Sequence, residues 1–340
     1  MLTIIIIVSI GPVKIPLPDV FNILLNALLN EIYLLLGKMP LINGLIAPPQ
    51  ILVNPTHESI ILHIRLPRIL LAVLVGAALA AAGTMMQGLF KNPMADPFII
   101  GISSGAAAAV SATIVLGIVI FGGYTIPIMA FLGATTAAFV VYNIARVGGK
   151  VPVETLLLSG IAVGAFLSAI TSFMIFLAGE DLHHIIFWMM GGFWAANWEQ
   201  VKLISPLICI GIVIVYFFAK DLNVMLLGEE PAQHLGISVE SFKKIMLIFA
   251  SLITAAAVSF SGLIGFVGLI IPHIVRILTG PDHRILLPAS ALVGAIFLAW
   301  ADTLARTIMA PAELPVGIIT ALFGAPFFVY LLRTRKRTMF

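Results

Sequence analysis

Long runs without a charged residue divide this chain into segments. The clearest run covers residues 69–90, which are 22 uncharged and mainly apolar residues that follow two arginines, Arg65 and Arg68. About 20 apolar residues, at a rise of 1.5 Å per residue, cross the hydrocarbon layer of a bilayer. We therefore predict a membrane-spanning helix here. Its middle is rich in glycine and alanine, and small residues let neighbouring membrane helices approach closely.

The same pattern predicts eight further spans. Residues 97–145 carry no charge and are too many for one helix, so we divide them into two spans at Gly122 and Gly123. Residues 245–275 are likewise divided into two spans, because Gly262, Gly265 and Gly268 interrupt them, and the second span is expected to be partly broken at Pro272. The remaining apolar runs predict one span each, over residues 155–179, 203–219, 285–309 and 314–332.

Two apolar segments are too short to cross a bilayer. Residues 185–198 carry three tryptophans, which is typical of a short interfacial helix or a re-entrant segment. Residues 2–10 predict only the stub of a first helix. Residues 11–63 connect this stub to the first full span, with a predicted amphipathic helix over residues 21–30 and proline-broken loops over residues 40–55.

The composition is that of an all-α polytopic membrane protein. Apolar residues make up 61% of the 340 residues and charged residues only 10%, whereas soluble domains contain about a quarter charged residues. The net charge of +3 and the lack of a long basic patch argue against nucleic acid as a partner. The single cysteine, Cys209, excludes an intrachain disulfide and a CxxC metal site. We expect no metal and no cofactor.

The lysines and arginines orient the predicted spans. When the basic C-terminal tail is placed inside, twelve of the 18 basic residues fall on the cytoplasmic side, as the positive-inside rule requires. The polar segment 228–236 then also lies in the cytoplasm, and Arg65, Arg68 and Arg306 lie outside near helix ends. We expect a multi-pass protein of the cell (inner) membrane with a cytoplasmic C-terminus.

Several motifs, in order along the chain, resemble one family. They are the sequences at residues 65–68, 75–80, 86–90, 92–95 and 101–105. From about Arg65 to the C-terminus, the chain resembles the membrane subunit of the vitamin B12 and iron-siderophore ABC importers, the FecCD-type permeases of type II importers.

This resemblance implies a ten-helix permease bundle that works as a homodimer, with the transport pathway on the two-fold axis. The family has a full first helix, so residues 1–64 are expected to be a truncated first helix and an extracytoplasmic loop. Residues 65–340 are expected to be the permease transmembrane domain, and residues 221–242 its cytoplasmic coupling segment.

The resemblance also assigns roles at the outer end. Arg65, Arg68 and Arg306 correspond to arginines that face glutamates on an extracytoplasmic substrate-binding protein, and guanidinium–carboxylate pairs suit such docking. Two other interpretations remain open. The side chains would extend to lipid headgroups, or Arg306 would pair with Asp302, four residues earlier on the same helix.

At the inner end, the resemblance assigns ATPase coupling and a cytoplasmic gate. The coupling residues are Gly228, Glu229, Ala232, Leu235 and Gly236; the alternative is a plain solvated loop. The gate residues are Val153 and Glu154; the alternative is an ordinary helix start, where an acidic residue is favourable.

The predicted function is the transmembrane subunit of an ATP-driven importer for a metal chelate: iron-siderophore, haem or cobalamin. No GxxxxGK[ST] motif is present, so the chain is not expected to be an enzyme, and two separate ABC ATPase subunits would supply the energy. One alternative is import of molybdate or another oxyanion by the same architecture. Another is a secondary transporter driven by an ion gradient, although such proteins need intramembrane carboxylates, which the spans almost lack.

Overall fold

The computed structural model describes residues 2–36 and 53–336, and these residues fold almost entirely as helix. Most of the predicted loop region over residues 40–55 lies outside the described residues, and Pro55 begins a helix. The predicted all-α fold class is confirmed for the part of the chain that is described.

The first third of the chain supplies short peripheral helices and then the central span. In order these are α1 Leu2–Ser9, α2 Leu17–Leu36, α3 Pro55–Ser59, a π-helical segment Ile60–Arg65, α4 Leu66–Leu89, a 3₁₀ turn Pro97–Ile100 and α5 Ile102–Val115. The predicted amphipathic helix over residues 21–30 lies within α2. With eight residues, α1 is about 12 Å long, far less than the roughly 30 Å of a hydrocarbon core.

The middle of the chain forms three long apolar helices and three short ones. They are α6 Thr125–Ala145, α7 Val153–Leu177, α8 Leu182–Met190, α9 Trp198–Phe217, α10 Ala219–Leu226 and α11 Glu229–His234. The last third forms α12 Val239–Ser261, α13 Val267–Thr279, α14 His283–Ala305 and α15 Val316–Lys336. The boundary predicted at residue 64 falls inside a continuous helical stretch, Pro55–Leu89.

Six helices in the described residues are long and apolar enough to cross a membrane. Three further apolar helices in the described residues are shorter. Each of the nine predicted spans overlaps one of these helices, and six of the nine have the length needed to cross. The ten-helix count that the resemblance implies stays a prediction.

The predicted break at Pro272 is wrong, because α13 runs through this residue without interruption. The division into two spans predicted from Gly262 onwards is confirmed, because the chain breaks between α12 and α13, where Gly262 and Phe266 have positive φ angles of 66° and 70°. Proline at 272 leaves the Gly268 carbonyl without its usual helical N–H donor. The side-chain amide of Gln87 reaches this turn from α4, donating to the carbonyl of Gly268 at 3.4 Å and to that of its neighbour Leu269 at 2.9 Å.

Glycines let α4 contact its neighbours with backbone against backbone. A Cβ added at Gly76 would collide with the carbonyl oxygen of Gly294 on α14, and one added at Gly83 would collide with Gly268 on α13. Helices in lipid associate largely through such close van der Waals packing, because lipid tails are as apolar as the helices themselves. The close approach predicted from the small residues of this span is confirmed, and α4 is the buried centre of the bundle.

We expect Gly76→Ala to lower the free energy of unfolding by about 1–3 kcal/mol, because the added methyl group overpacks the α4–α14 contact. Thermal unfolding of the purified protein in detergent, followed by tryptophan fluorescence, measures the loss. Gly123→Ala is the matched control, since a Cβ there meets nothing within 4 Å. Equal stability of the two variants would contradict the packing assigned to Gly76.

Candidate functional site

Three arginines converge at one end of the bundle. Arg65 ends the π-helical segment, Arg68 lies in the first turn of α4, and Arg306 follows directly after α14. All three side chains are buried, although each belongs to a helix end. A buried guanidinium requires hydrogen-bond acceptors, and the structure supplies them from distant parts of the chain.

Arg68 is held by two carboxylates. Its Nε and Nη2 donate to Asp302 Oδ1 at 3.0 and 2.8 Å, and its Nη1 donates to Glu313 Oε2 at 2.8 Å. Arg306 Nε lies 3.6 Å from the other carboxylate oxygen of Asp302. Asp302 is fully buried, so this one carboxylate balances two buried cations, while Glu313 remains partly exposed.

The other guanidinium contacts are with the backbone of the N-terminal segment. Arg65 Nη1 donates to the carbonyl of Val8 at 2.6 Å, its Nη2 donates to the carbonyl of Val13, and Arg306 Nη2 donates to the carbonyl of Ile7 at 3.3 Å. The last carbonyls of a helix have no partner within it. The two arginines therefore cap the C-terminal end of α1 and fix it against α4 and α14.

Residues that dock a partner protein are expected to be exposed, whereas these three arginines are buried and already have partners within the chain. Arg306 does pair with Asp302, four residues earlier on the same helix, as one of the alternative interpretations expected. The internal partners of Arg65 and Arg68 were not predicted. They are hard to find in a sequence, because Arg68 and Asp302 are separated by 234 residues. Glu313 was missed for the same reason. Docking of a partner protein at these arginines remains a prediction.

The predicted coupling residues lie together at the opposite end of the bundle, in and beside α11. Gly228 and Gly236 bound the helix and have φ angles of 130° and 89°, which favour glycine. Ala232 is fully buried beneath the helix, whereas Leu235 is 64% exposed. The segment is thus an ordered helical element that presents an apolar side chain outwards.

An ion pair fixes α11 to α12. Glu229 Oε1 lies 2.7 Å from Lys243 Nζ, and the same ammonium is 3.5 Å from Glu240 Oε1. The Lys243 side chain is buried, while Glu229 stays partly exposed at the surface of α11. Movement of α11 would therefore be transmitted to the first turns of α12.

A second polar contact joins α10 to the start of α14. Asn223 Nδ2 donates to Asp282 Oδ1 at 2.7 Å, and the backbone N–H of His283 donates to Asn223 Oδ1 at 2.8 Å. Hydrogen bonds from the side chain and backbone of Arg284, followed by that from Asn223, hold the pKa of Asp282 well below its usual range. Asp282 is therefore ionised at neutral pH, and it caps the N-terminus of α14.

The predicted gate residues, Val153 and Glu154, are the first two residues of α7. Glu154 is exposed and lies where an acidic side chain favours a helix start, as the alternative interpretation requires. A gating role is not tested by this geometry and stays a prediction.

A cavity whose wall contains five serine and threonine residues was missed in the sequence. It has a volume of about 250 Å³ and lies between α5 and α7, with Ser103, Ser104, Ser168, Thr171 and Ser172 in its wall. The last three residues have the i, i+3, i+4 spacing of one helix face. That spacing is visible in the sequence, but the facing serines on α5 become neighbours only in the folded chain.

We expect Asp302→Asn to destabilise the protein by about 3–5 kcal/mol, because it leaves two buried guanidiniums without their shared anion. Thermal or denaturant unfolding in detergent micelles measures the change. Asp181→Asn, the same substitution at an exposed site, is the control and should change stability little. Similar stabilities for both variants would show that the buried network does not hold this end of the bundle together.

Comparison with known proteins identifies the family to which this helical bundle belongs. The family model described as the FecCD transport family matches residues 1–334. The cobalamin import system permease protein of Halobacterium salinarum is 50% identical over 290 residues, which cover 85% of this chain and 78% of that protein. The hemin transport system permease protein of Yersinia pestis is 43% identical over 289 residues, covering 84% and 86%.

A solved structure shares the fold. It is described as an inward-facing conformation of a metal-chelate type ABC transporter, and it matches with a TM-score of 0.77 and 33% identity. The match covers 92% of this chain and 98% of that one. The helical bundle, the ordered motifs and the family match lead to one conclusion: this chain belongs to the FecCD transport family of ABC importer permeases.

Proposed function

We propose that this protein is the transmembrane subunit of an ATP-driven importer that receives a metal chelate from a binding protein and releases it into the cytoplasm. The observation that carries the proposal is the likeness, over most of the chain, to permeases named for cobalamin and for hemin. Iron-siderophore, haem and cobalamin are the cargo classes that we consider.

The working unit in this proposal is a homodimer with the pathway on its two-fold axis. Support comes from α7, an apolar helix of 25 residues. Within one chain, only 11% of its most apolar stretch is buried. A second copy would cover part of this helix. The cavity between α5 and α7 would then line the pathway, with Val153 and Glu154 as the gate where α7 begins.

Energy would come from two separate ATPase subunits, since the sequence lacks a P-loop motif. The coupling element, α10 and α11, would dock on them at the cytoplasmic side. Its polar contacts with α12 and α14 suit it to transmit a rigid-body movement to the bundle. The exposed Leu235 would enter an apolar cleft on the ATPase.

Leu235→Asp should reduce capture of the cognate ATPase by at least about tenfold, because a charge cannot enter an apolar contact without losing its hydration. A pull-down with the purified ATPase in detergent measures the effect. Leu116→Asp is the matched control, since Leu116 is 65% exposed at the other end of the bundle. Undiminished capture by Leu235→Asp would remove Leu235 from the interface.

In the proposed docking, Arg68 would exchange one of its carboxylate partners for a carboxylate of the binding protein. Glu313 is partly exposed and holds Arg68 Nη1, whereas Asp302 holds the rest of the guanidinium deep in the protein. A glutamate on the binding protein would replace Glu313 on this atom. Arg65 and Arg306 would contribute by fixing the N-terminal segment at the docking surface.

Glu313→Gln should therefore strengthen binding of the cognate binding protein several-fold at low ionic strength, because Arg68 becomes available to an acidic partner. Surface plasmon resonance on the permease in nanodiscs measures the affinity. Glu180→Gln removes the same charge from an exposed position at the same end and controls for overall electrostatics. If both variants gain equally, Arg68 has no specific part in docking.

Import of an oxyanion such as molybdate is the second candidate within this architecture. An ion-gradient-driven mechanism has less support, because Asp302, the buried acid within α14, is held by Arg68 and Arg306 and is unsuited to a proton relay. Uptake into proteoliposomes containing this chain, its ATPase and its binding protein tests the cargo. We expect accumulation of labelled cobalamin, haem or ferric siderophore; accumulation of molybdate alone would overturn the metal-chelate proposal.

A further inference from the structure

A second cavity lies on the side of the bundle between α6 and α12. It has a volume of about 510 Å³, and its wall comes from α6, α12, the 3₁₀ turn before α5 and the first turns of α7. We call it the α6–α12 groove. None of the residues to which transport roles are assigned above lines it.

Two basic side chains stand at one end of the groove. Arg146 follows α6 directly and Lys244 lies in the second turn of α12, at the end of the bundle that carries the coupling element. Both are exposed, and neither makes an ion pair with the residues that the structure describes. Glu240, one turn before Lys244, is already engaged by the Val151 N–H at 3.0 Å.

The rest of the groove is apolar. Phe139, Leu247, Ile248 and Leu252 lie along it, and Phe139 is 68% exposed. From Arg146 to Thr135, the far end on α6, the groove extends eleven residues, or roughly 16 Å at the helical rise. This length is about half of a 30 Å hydrocarbon core, which is the depth of one leaflet.

Three of the polar side chains in the wall already have a hydrogen-bond acceptor within their own helix. Thr135, Asn143 and Ser251 each donate a hydrogen bond to the carbonyl four residues earlier in their own helix, at 2.8, 2.7 and 2.7 Å. Thr136 and Tyr142 also lie in the wall. A hydrocarbon chain can lie against the three engaged groups without displacing the hydrogen bonds that they already make.

We propose that the α6–α12 groove binds an anionic phospholipid of the cytoplasmic leaflet. Its phosphate lies between Arg146 and Lys244, and one acyl chain follows the apolar wall towards Thr135. The two positive charges at the mouth of the groove and its length of about one leaflet together favour this occupant. Free phosphate would leave the apolar wall unfilled, and a second copy of the chain would bring like charges to the mouth of the groove.

Native mass spectrometry of the delipidated protein tests the site, with phosphatidylglycerol and phosphatidylcholine as probes. We expect phosphatidylglycerol to bind at least about tenfold more tightly than phosphatidylcholine. The double variant Arg146→Gln, Lys244→Gln should lose this preference. Lys150→Gln with Lys220→Gln, two exposed lysines outside the groove at the same end, should keep it. Equal binding of both lipids, or equal loss in both double variants, overturns the proposal.

Two further measurements separate the alternative occupants. Ile248→Trp fills the groove without changing its charge, so it should weaken phosphatidylglycerol binding, whereas a phosphate-only site would be unaffected. Millimolar inorganic phosphate should not displace the lipid. Ile248→Cys, in a Cys209→Ser background, should form no crosslink between copies in membranes; an efficient crosslink would make the groove a protein interface.

Discussion

The close contact between α4 and α14 determines the rest of the structure. In a bilayer no hydrophobic force draws two apolar helices together, so their contact depends on van der Waals packing and on polar groups that avoid lipid. Glycines at 76 and 294 bring the two backbones together. Arg68 and Asp302 then join the same helices by an ion pair at one end of the bundle.

Both candidate sites are attached to this helix pair. At one end of the bundle, Asn223 of α10 hydrogen-bonds to the residues that begin α14, and at the opposite end Asp302 joins the arginine network. In the proposed mechanism, a movement of α10 and α11 would therefore be applied to a helix that is packed along its length. By contrast, little of α7 is buried within one chain, as the proposed position beside a transport pathway requires.

The spans were predictable because a charge in lipid is costly, so the crossing segments contain long apolar stretches with few or no charges. The side-chain contacts between distant segments, which form the candidate sites, were not predictable. The donor that supports the turn around Pro272 comes from Gln87 in another helix, so the helix continues where the sequence indicates a break. The partners of Arg68 also lie in distant segments, whereas the hydroxyl face of α7 had a readable helical spacing.

We propose that this chain is a passive conduit whose opening is driven by ATP hydrolysed in other subunits. The most direct test of this proposal compares two sets of proteoliposomes that contain the binding protein and its cargo, one with the ATPase subunits and one without. Cargo should accumulate only when the ATPase and ATP are both present. Accumulation by the permease in the absence of the ATPase, driven by an imposed ion gradient, would contradict the account.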